Sequence, residues 1–213
     1  MDLKFENVIP NPFANIAFEK NSFWGNTWEL KKGERVLLNA SSGKGKTSFT
    51  HFTYGLRNDF QGKILLDGQN NQNLTILEWT KIRQEKLAVV FQDLQLFAQL
   101  SVNDNFLLKA NLTGNFKIEK AKQYLDYVGL SDKWDQKCGI LSMGQLQRVA
   151  IIRALLQPFD WIILDEPFSH LDLENASKCM ELINNRCDEL KAGFILTTLD
   201  SINSISFNRE IKL

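Results

Sequence analysis

Residues 40–49 read ASSGKGKTSF and stand directly behind an apolar run, RVLLN, at 35–39. A loop that only turns the chain needs one glycine. Here Gly43 and Gly45 alternate with Lys44 and Lys46 and run into Thr47 and Ser48. Between a buried strand and a helix, that arrangement suits an oxyanion. The glycines let backbone N–H groups turn inward, and the helix that follows directs its positive end at the bound phosphate. Against the pattern G-x-x-x-x-G-K-[ST], Gly45, Lys46 and Thr47 satisfy the end, while Ala40 stands where the first glycine would be. A methyl is tolerated there if the position needs no positive φ. Lys46 is expected to reach the β- and γ-phosphates of a nucleotide, and the Thr47 hydroxyl to ligate Mg²⁺.

The rest of the chain supplies the fold for such a loop. Short apolar runs at 36–38, 87–91, 161–164 and 194–197 read as buried strands. Further strands are expected at 5–9, 27–30, 63–66 and 210–213, with Asp67-Gly68 as a turn. Helical patterns lie between them. Ser101 and Asp104 form an S-x-x-D start for a helix through Leu108, and residues 116–128 follow helical spacing up to Gly129. Leu173, Ala176, Met180, Ile183, Cys187 and Leu190 line one face of a long helix that stops near Gly193. Alternating strands and helices indicate an α/β fold around a largely parallel sheet. Residues 93–157 break the alternation and read as a helical subdomain inserted in a single domain, 1–213.

Composition narrows the function classes. Among 213 residues, Lys+Arg and Asp+Glu both number 25, so there is no basic excess of the kind nucleic acids attract. The three cysteines lack C-x-x-C spacing and are odd in number, which fits a reducing compartment. Cys179 and Cys187 read as core filler. No apolar run approaches the ~18–20 residues of a membrane span, and residues 1–13 lack the layout of a signal peptide. A soluble, cytoplasmic protein is expected.

Three later segments bear on the phosphate loop. The strand 161–164 runs into Asp165-Glu166-Pro167. A carboxylate at a buried strand end beside a phosphate loop is placed to hold Mg²⁺, and its neighbour to polarise an attacking water. Leu141-Ser142-Met143-Gly144-Gln145 opens an amphipathic helix, and Ser142 with Gly144 makes a second helix-end anion site. Gln92 follows the strand 87–91 and by itself reads as a surface glutamine.

In this order, the segments resemble the nucleotide-binding subunit of ABC transporters over essentially the whole chain. ASSGKGKTS resembles Walker A, VVFQ (89–92) the Q-loop, and LSMGQLQRVAIIRALL (141–156) the signature motif with its helix. WIILDEP (161–167) resembles Walker B and SHLD (169–172) the D-loop. QGKILLDG (61–68) and VFQDLQLFAQLSVNDN (90–105) are similar to the lipoprotein-release and macrolide-export type. The resemblance implies a phosphate-loop NTPase core with a mostly parallel sheet, an antiparallel β subdomain and the inserted helical subdomain. It implies a head-to-tail dimer, as a homodimer or with a paired ATPase subunit, clasping ATP and Mg²⁺ between Walker A of one copy and the signature of the other. In this chain Ser41, Ser42, Lys44, Lys46 and the backbone of 43–48 would hold the nucleotide. Thr47, Gln92 and Asp165 would position Mg²⁺ and water, and Glu166 would be the base. Ser142, Met143, Gly144, Gln145 and Asp172 would close the site in trans. An integral membrane permease is implied as partner, docking around residues 93–107 and holding the protein at the inner face of the membrane.

The sequence departs from the family pattern at four places. Ala40 replaces a glycine, and Met143 replaces the first signature glycine, keeping its N–H but adding bulk. The adenine-stacking aromatic has its nearest candidate in Phe13, which also reads as an ordinary core aromatic. Last, the family's histidine after the final core strand is missing: residues 195–200 read ILTTLD, with Leu199 or Thr198 in its place. His170, inside the D-loop-like segment, reads as a surface histidine. Two functions follow: a subunit that hydrolyses ATP to power a transporter, or an ATP-gated dimeric scaffold with little or no hydrolysis.

Overall fold

The computed structural model describes residues 1–39, 41, 43–113, 118–198 and 206–213, and of Thr113 only the backbone. In chain order the strands are β1 (Leu3–Pro10), β2 (Trp28–Leu30), β3 (Arg35–Asn39), β4 (Phe60–Leu66), β5 (Gln69–Asn70), β6 (Leu87–Val90), β7 (Trp161–Asp165), β8 (Gly193–Thr198) and β9 (Arg209–Lys212). The helices are α1 (Lys46–Thr53), α2 (Ile76–Glu85), α3 (Val102–Thr113), α4 (Ile118–Tyr127), α5 (Met143–Leu155) and α6 (Leu173–Leu190).

Five strands form an all-parallel sheet in the order β6-β7-β8-β3-β9. Strands covered on both faces must be apolar on both, and β7 is buried at every position, Trp161 through Asp165. Alternation along the strands divides the core in two. Leu37, Ile162, Leu164, Phe194 and Leu196 face the cluster built by α3, α4, α5 and α6. Val36, Leu38, Trp161, Ile163 and Ile195 face the cluster that holds Phe49 and Phe52 of α1 and the apolar side of the second sheet. Burying each such side chain contributes ~1.5–3 kcal/mol. The second sheet is antiparallel, in the order β2-β1-β4-β5, and carries the Phe5–Phe23 and Phe5–Phe49 ring contacts at 5.0 and 5.5 Å.

Because β3, β6, β7 and β8 all run the same way, their C-terminal ends share one edge of the sheet. Gly43–Lys46, Gln92 and Glu166 lie just beyond that edge. Open α/β sheets bind ligands there. Between β6 and β7 the chain forms α3, α4 and α5. The Ser101 start of α3 forms as expected, Ser101 Oγ accepting from Asp104 N at 3.0 Å, but the helix runs on to Thr113 rather than Leu108. Helix α6 stops at Leu190 on Lys191, a left-handed residue with φ 51°, two residues before the expected glycine.

Candidate functional site

The phosphate-loop segment is built as its sequence demands. Gly43 and Gly45 have φ of 77° and 97°, values that glycine reaches without steric cost. At Gly45 a Cβ would also stand 3.0 Å from Trp24 Cζ2 and 3.2 Å from Phe13 Cε2. Trp24 is buried and its Nε1–H donates to the Lys44 carbonyl at 2.9 Å, pinning the loop from below. Phe13 ends a short 3-10 turn, is half-buried, and lies against the loop. Ala40 and Ser42 lie outside the described residues, as does Leu199; Thr198 ends β8.

Helix α1 begins at Lys46, whose ammonium is 3.2 Å from Glu166 Oε1 and donates to the Ser41 carbonyl at 3.4 Å. The Thr47 hydroxyl donates to Gln92 Oε1, and Gln92 Nε2 donates to Glu166 Oε2, both at 3.4 Å. Lys46, Thr47, Gln92 and Glu166 thus join the start of α1, the end of β6 and the end of β7. With Phe13, Gly43, Gly45 and Ser48 they line a pocket of about 280 Å³. Glu166 is itself left-handed, φ 49°, a backbone state that a non-glycine residue holds only when its surroundings impose it. Its amide donates to the Thr197 carbonyl at 3.0 Å.

Asp165 is buried at the last position of β7. Its Oδ1 accepts from the Thr197 hydroxyl at 2.7 Å, while Oδ2 has no hydrogen-bond partner among the described residues. Desolvation pushes its carboxyl above the ordinary value, with Glu166 adding repulsion, while the hydroxyls of Thr197, Thr47 and Thr50 pull the other way. A buried carboxylate oxygen without a donor suits a cation. No three His, Cys, Asp or Glu side chains converge among the described residues. A cation here would therefore take one carboxylate with hydroxyl and amide oxygens, a donor set suited to Mg²⁺ held largely through phosphate.

The second expected site stands at the start of α5. Ser142 is the N-cap: its hydroxyl accepts from Gln145 N at 3.3 Å and Gln145 Oε1 accepts from Ser142 N at 2.9 Å, a complete capping box. Met143 is exposed. Gly144 meets the loop after β7 so closely that a Cβ would stand 2.8 Å from the His170 carbonyl. That loop is fixed by buried Gln147, which donates to Ser169 Oγ at 2.8 Å and accepts from His170 N at 2.9 Å. His170 is exposed, as a surface histidine should be, and its Nδ1 lies 3.0 Å from Ser169 Oγ. Asp172 caps α6, both carboxylate oxygens accepting from Asn175. Ser142, Met143, Gly144, Gln145 and Asp172 do not line the Lys46 pocket. Trp24, Thr197 and Gln147 are supporting residues to which the sequence reading gave no role.

This pairing of a glycine-lysine loop with a Ser-capped helix end has a match over most of the chain. The ABC transporter family profile matches residues 25–169. The chain belongs to the ABC transporter ATP-binding family. Among ABC relatives, the lipoprotein-releasing system ATP-binding protein LolD of Colwellia psychrerythraea is 31% identical over 187 residues, 86% of this chain and 72% of that protein. The macrolide export ATP-binding/permease protein MacB of Aggregatibacter actinomycetemcomitans is 32% identical over 187 residues, 86% of this chain but 29% of that one. The protein is thus an ABC ATPase subunit of the LolD/MacB type. Its fold agrees with the dimeric, ADP- and Pi-bound post-hydrolysis structure of the ATP-binding cassette MJ0796, with a TM-score of 0.79 at 26% identity over 93% of this chain and 88% of that one. An ATP-bound Atm1-family exporter shares the fold, TM-score 0.78 at 22% identity, over 100% of this chain and 36% of the exporter. Among the described residues no helix is long and apolar enough to cross a membrane.

Proposed function

We propose that this chain binds Mg-ATP between two copies, or between itself and a paired ATPase subunit, and hydrolyses it to drive a membrane permease of the lipoprotein-release or export type. The observation that carries the reading is the joining of Lys46, Thr47, Gln92 and Glu166 across three strand ends, next to Asp165, whose Oδ2 has no hydrogen-bond partner among the described residues. Lys46 and the N–H groups of the 43–48 loop hold the β- and γ-phosphates. Thr47, Asp165 and Gln92 would hold Mg²⁺, whose charge, when bound, offsets that of the transferring phosphoryl group. Glu166 takes the proton of the attacking water, and Gln92 orients it. Phe13, beside Gly45, stacks on the adenine.

From the second copy, the start of α5 offers the N–H groups of Met143 and Gly144 and the hydroxyl of Ser142 to the γ-phosphate. A helix end attracts that phosphate only while it is present, so hydrolysis loosens the dimer. Residues 93–157 act as a helical subdomain within the single domain, and the stretch 93–107, with exposed Phe97, receives the permease on the cytoplasmic side of the membrane.

Isothermal calorimetry with Mg-ATP, followed by steady-state phosphate release, tests the proposal. Micromolar binding with turnover abolished by Glu166→Gln supports it, and no nucleotide binding by the parent sinks it. The absence of histidine from residues 195–200 favours a second reading, an ATP-gated scaffold that scarcely turns over. A large rate gain from Leu199→His would select that one.

A further inference from the structure

Arg153 stands in the last turn of α5, and its guanidinium reaches across to the segment that leaves β6. Nη1 donates to the Gln95 carbonyl at 2.6 Å and Nη2 to the Leu94 carbonyl at 2.9 Å. Both carbonyls belong to left-handed residues, Leu94 with φ 60° and Gln95 with φ 50°. They are the only two consecutive non-glycine residues with positive φ among the described residues. Neither type favours that backbone, so the turn must be held by its surroundings. Short bonds within it, Leu94 N to Phe91 O at 3.0 Å and Gln95 N to Asp93 O at 2.7 Å, close it tightly, and the Leu94 side chain is buried in the core.

Gln92 is the second residue after β6, and its two contacts to Thr47 and Glu166 are long, 3.4 Å each. Bonds of that length do not fix a backbone. We propose that Arg153 is a positioning residue for Gln92: its two-pronged grip on residues 94 and 95 sets the turn that places Gln92 between Thr47 and Glu166. The same helix is capped by Ser142, about 16 Å away along its axis, so the Gln92 segment and the Ser142 helix end are braced by one rigid body. A planar fork with donors on both nitrogens can bridge two adjacent carbonyls; a lysine ammonium on a flexible stem holds the pair poorly.

The kinetic part of this proposal rests on the hydrolytic reading, while the grip itself does not. The experiment therefore has two readouts on the full chain: amide hydrogen exchange of residues 91–97, and steady-state ATPase kinetics. Arg153→Lys and Arg153→Met are expected to speed exchange at 91–97 at least tenfold. They should lower kcat about tenfold and leave KM for ATP within twofold, because Lys46 and Gly45 are untouched. Adding Gln95→Gly to Arg153→Lys should restore most of the lost kcat, since glycine takes positive φ without strain. Gln95→Gly alone should match the parent. Parental exchange at 91–97 in both Arg153 variants overturns the proposal, whatever the activity. Faster exchange with parental kcat overturns it too, as does a loss that Gln95→Gly fails to restore. A parent that hydrolyses no ATP sinks the hydrolytic reading instead, and the exchange result then decides the grip alone.

Discussion

Lys46 Nζ and Glu166 Oε1 lie 3.2 Å apart, with the two side chains only 7% and 15% exposed. The strongest cation of the phosphate loop is therefore already engaged by the proposed base, and an incoming polyphosphate must compete with that carboxylate for it. Binding and chemistry meet in one ion pair.

Replacing Glu166 by Gln keeps an acceptor near Lys46 but removes the charge that competes with phosphate. ATP affinity should stay level or rise about threefold to tenfold, while hydrolysis falls by about 10²–10⁴. Calorimetry and phosphate release check the two halves. Turnover at the parental rate would remove Glu166 from the role of base.

Asp165 gives a pH signature. Its folded carboxyl titrates above the ordinary value of 3.8, chiefly through desolvation. The stabilisation from its tighter proton binding is complete below that value and is lost as pH rises through the raised one. Once ionised it is a buried charge, one oxygen of which has no hydrogen-bond partner among the described residues. Asp165→Asn should therefore leave the melting temperature without divalent cation unchanged or higher at about pH 7.5, and flatten the loss of stability above 3.8. Added Mg-ATP should stabilise the parent and not the variant. A variant that melts well below the parent without Mg²⁺ would contradict this account.

Trp24→Phe keeps most of the ring but deletes the donor to the Lys44 carbonyl. Leaving that carbonyl unpaired costs about 1–3 kcal/mol. We expect a melting point a few degrees lower and ATP binding weakened about threefold to tenfold, measured by thermal melts and calorimetry. Parental affinity would show that the loop holds its shape without the indole.

Gly144→Ala places a methyl 2.8 Å from the His170 carbonyl, so α5 or the 168–171 loop must shift. Overpacking of this kind costs about 1–3 kcal/mol. The variant should bind ATP as the parent does, through its own Lys46 pocket. In the Glu166→Gln background it should fail to form the ATP-dependent dimer on size exclusion. Normal dimerisation would separate this contact from the dimer seam.

The strands were legible because parallel strands buried on both faces must be continuous apolar runs, as 36–38, 161–164 and 194–197 are. Helix α2 escaped that reading: Ile76 and Leu77 are 85% and 81% exposed, and only Trp79 and Ile82 pack, partly buried, against the core. Its start was nevertheless written in the sequence, where Thr75 and Glu78 form a capping box. Strand β5 is only Gln69–Asn70 and has no pattern to show. At the site, Lys46, Thr47, Asp165 and Glu166 declared themselves by residue type next to a strand end. Trp24, Thr197 and Arg153 did not, because each acts on a partner 20 or more positions away. Only the fold brings such pairs together.

The left-handed backbone of Glu166 has a practical corollary. Along a pleated ribbon, neighbouring side chains point to opposite sides, yet Asp165 and Glu166 both address the first residues of α1, the former near Thr47 and the latter at Lys46. The corner at 166 is what turns two adjacent acids towards a common target. Valine, isoleucine or proline there would undo the corner as well as the charge. Only replacements that tolerate the bend, such as glutamine or asparagine, can separate the chemistry of that carboxylate from the shape that presents it.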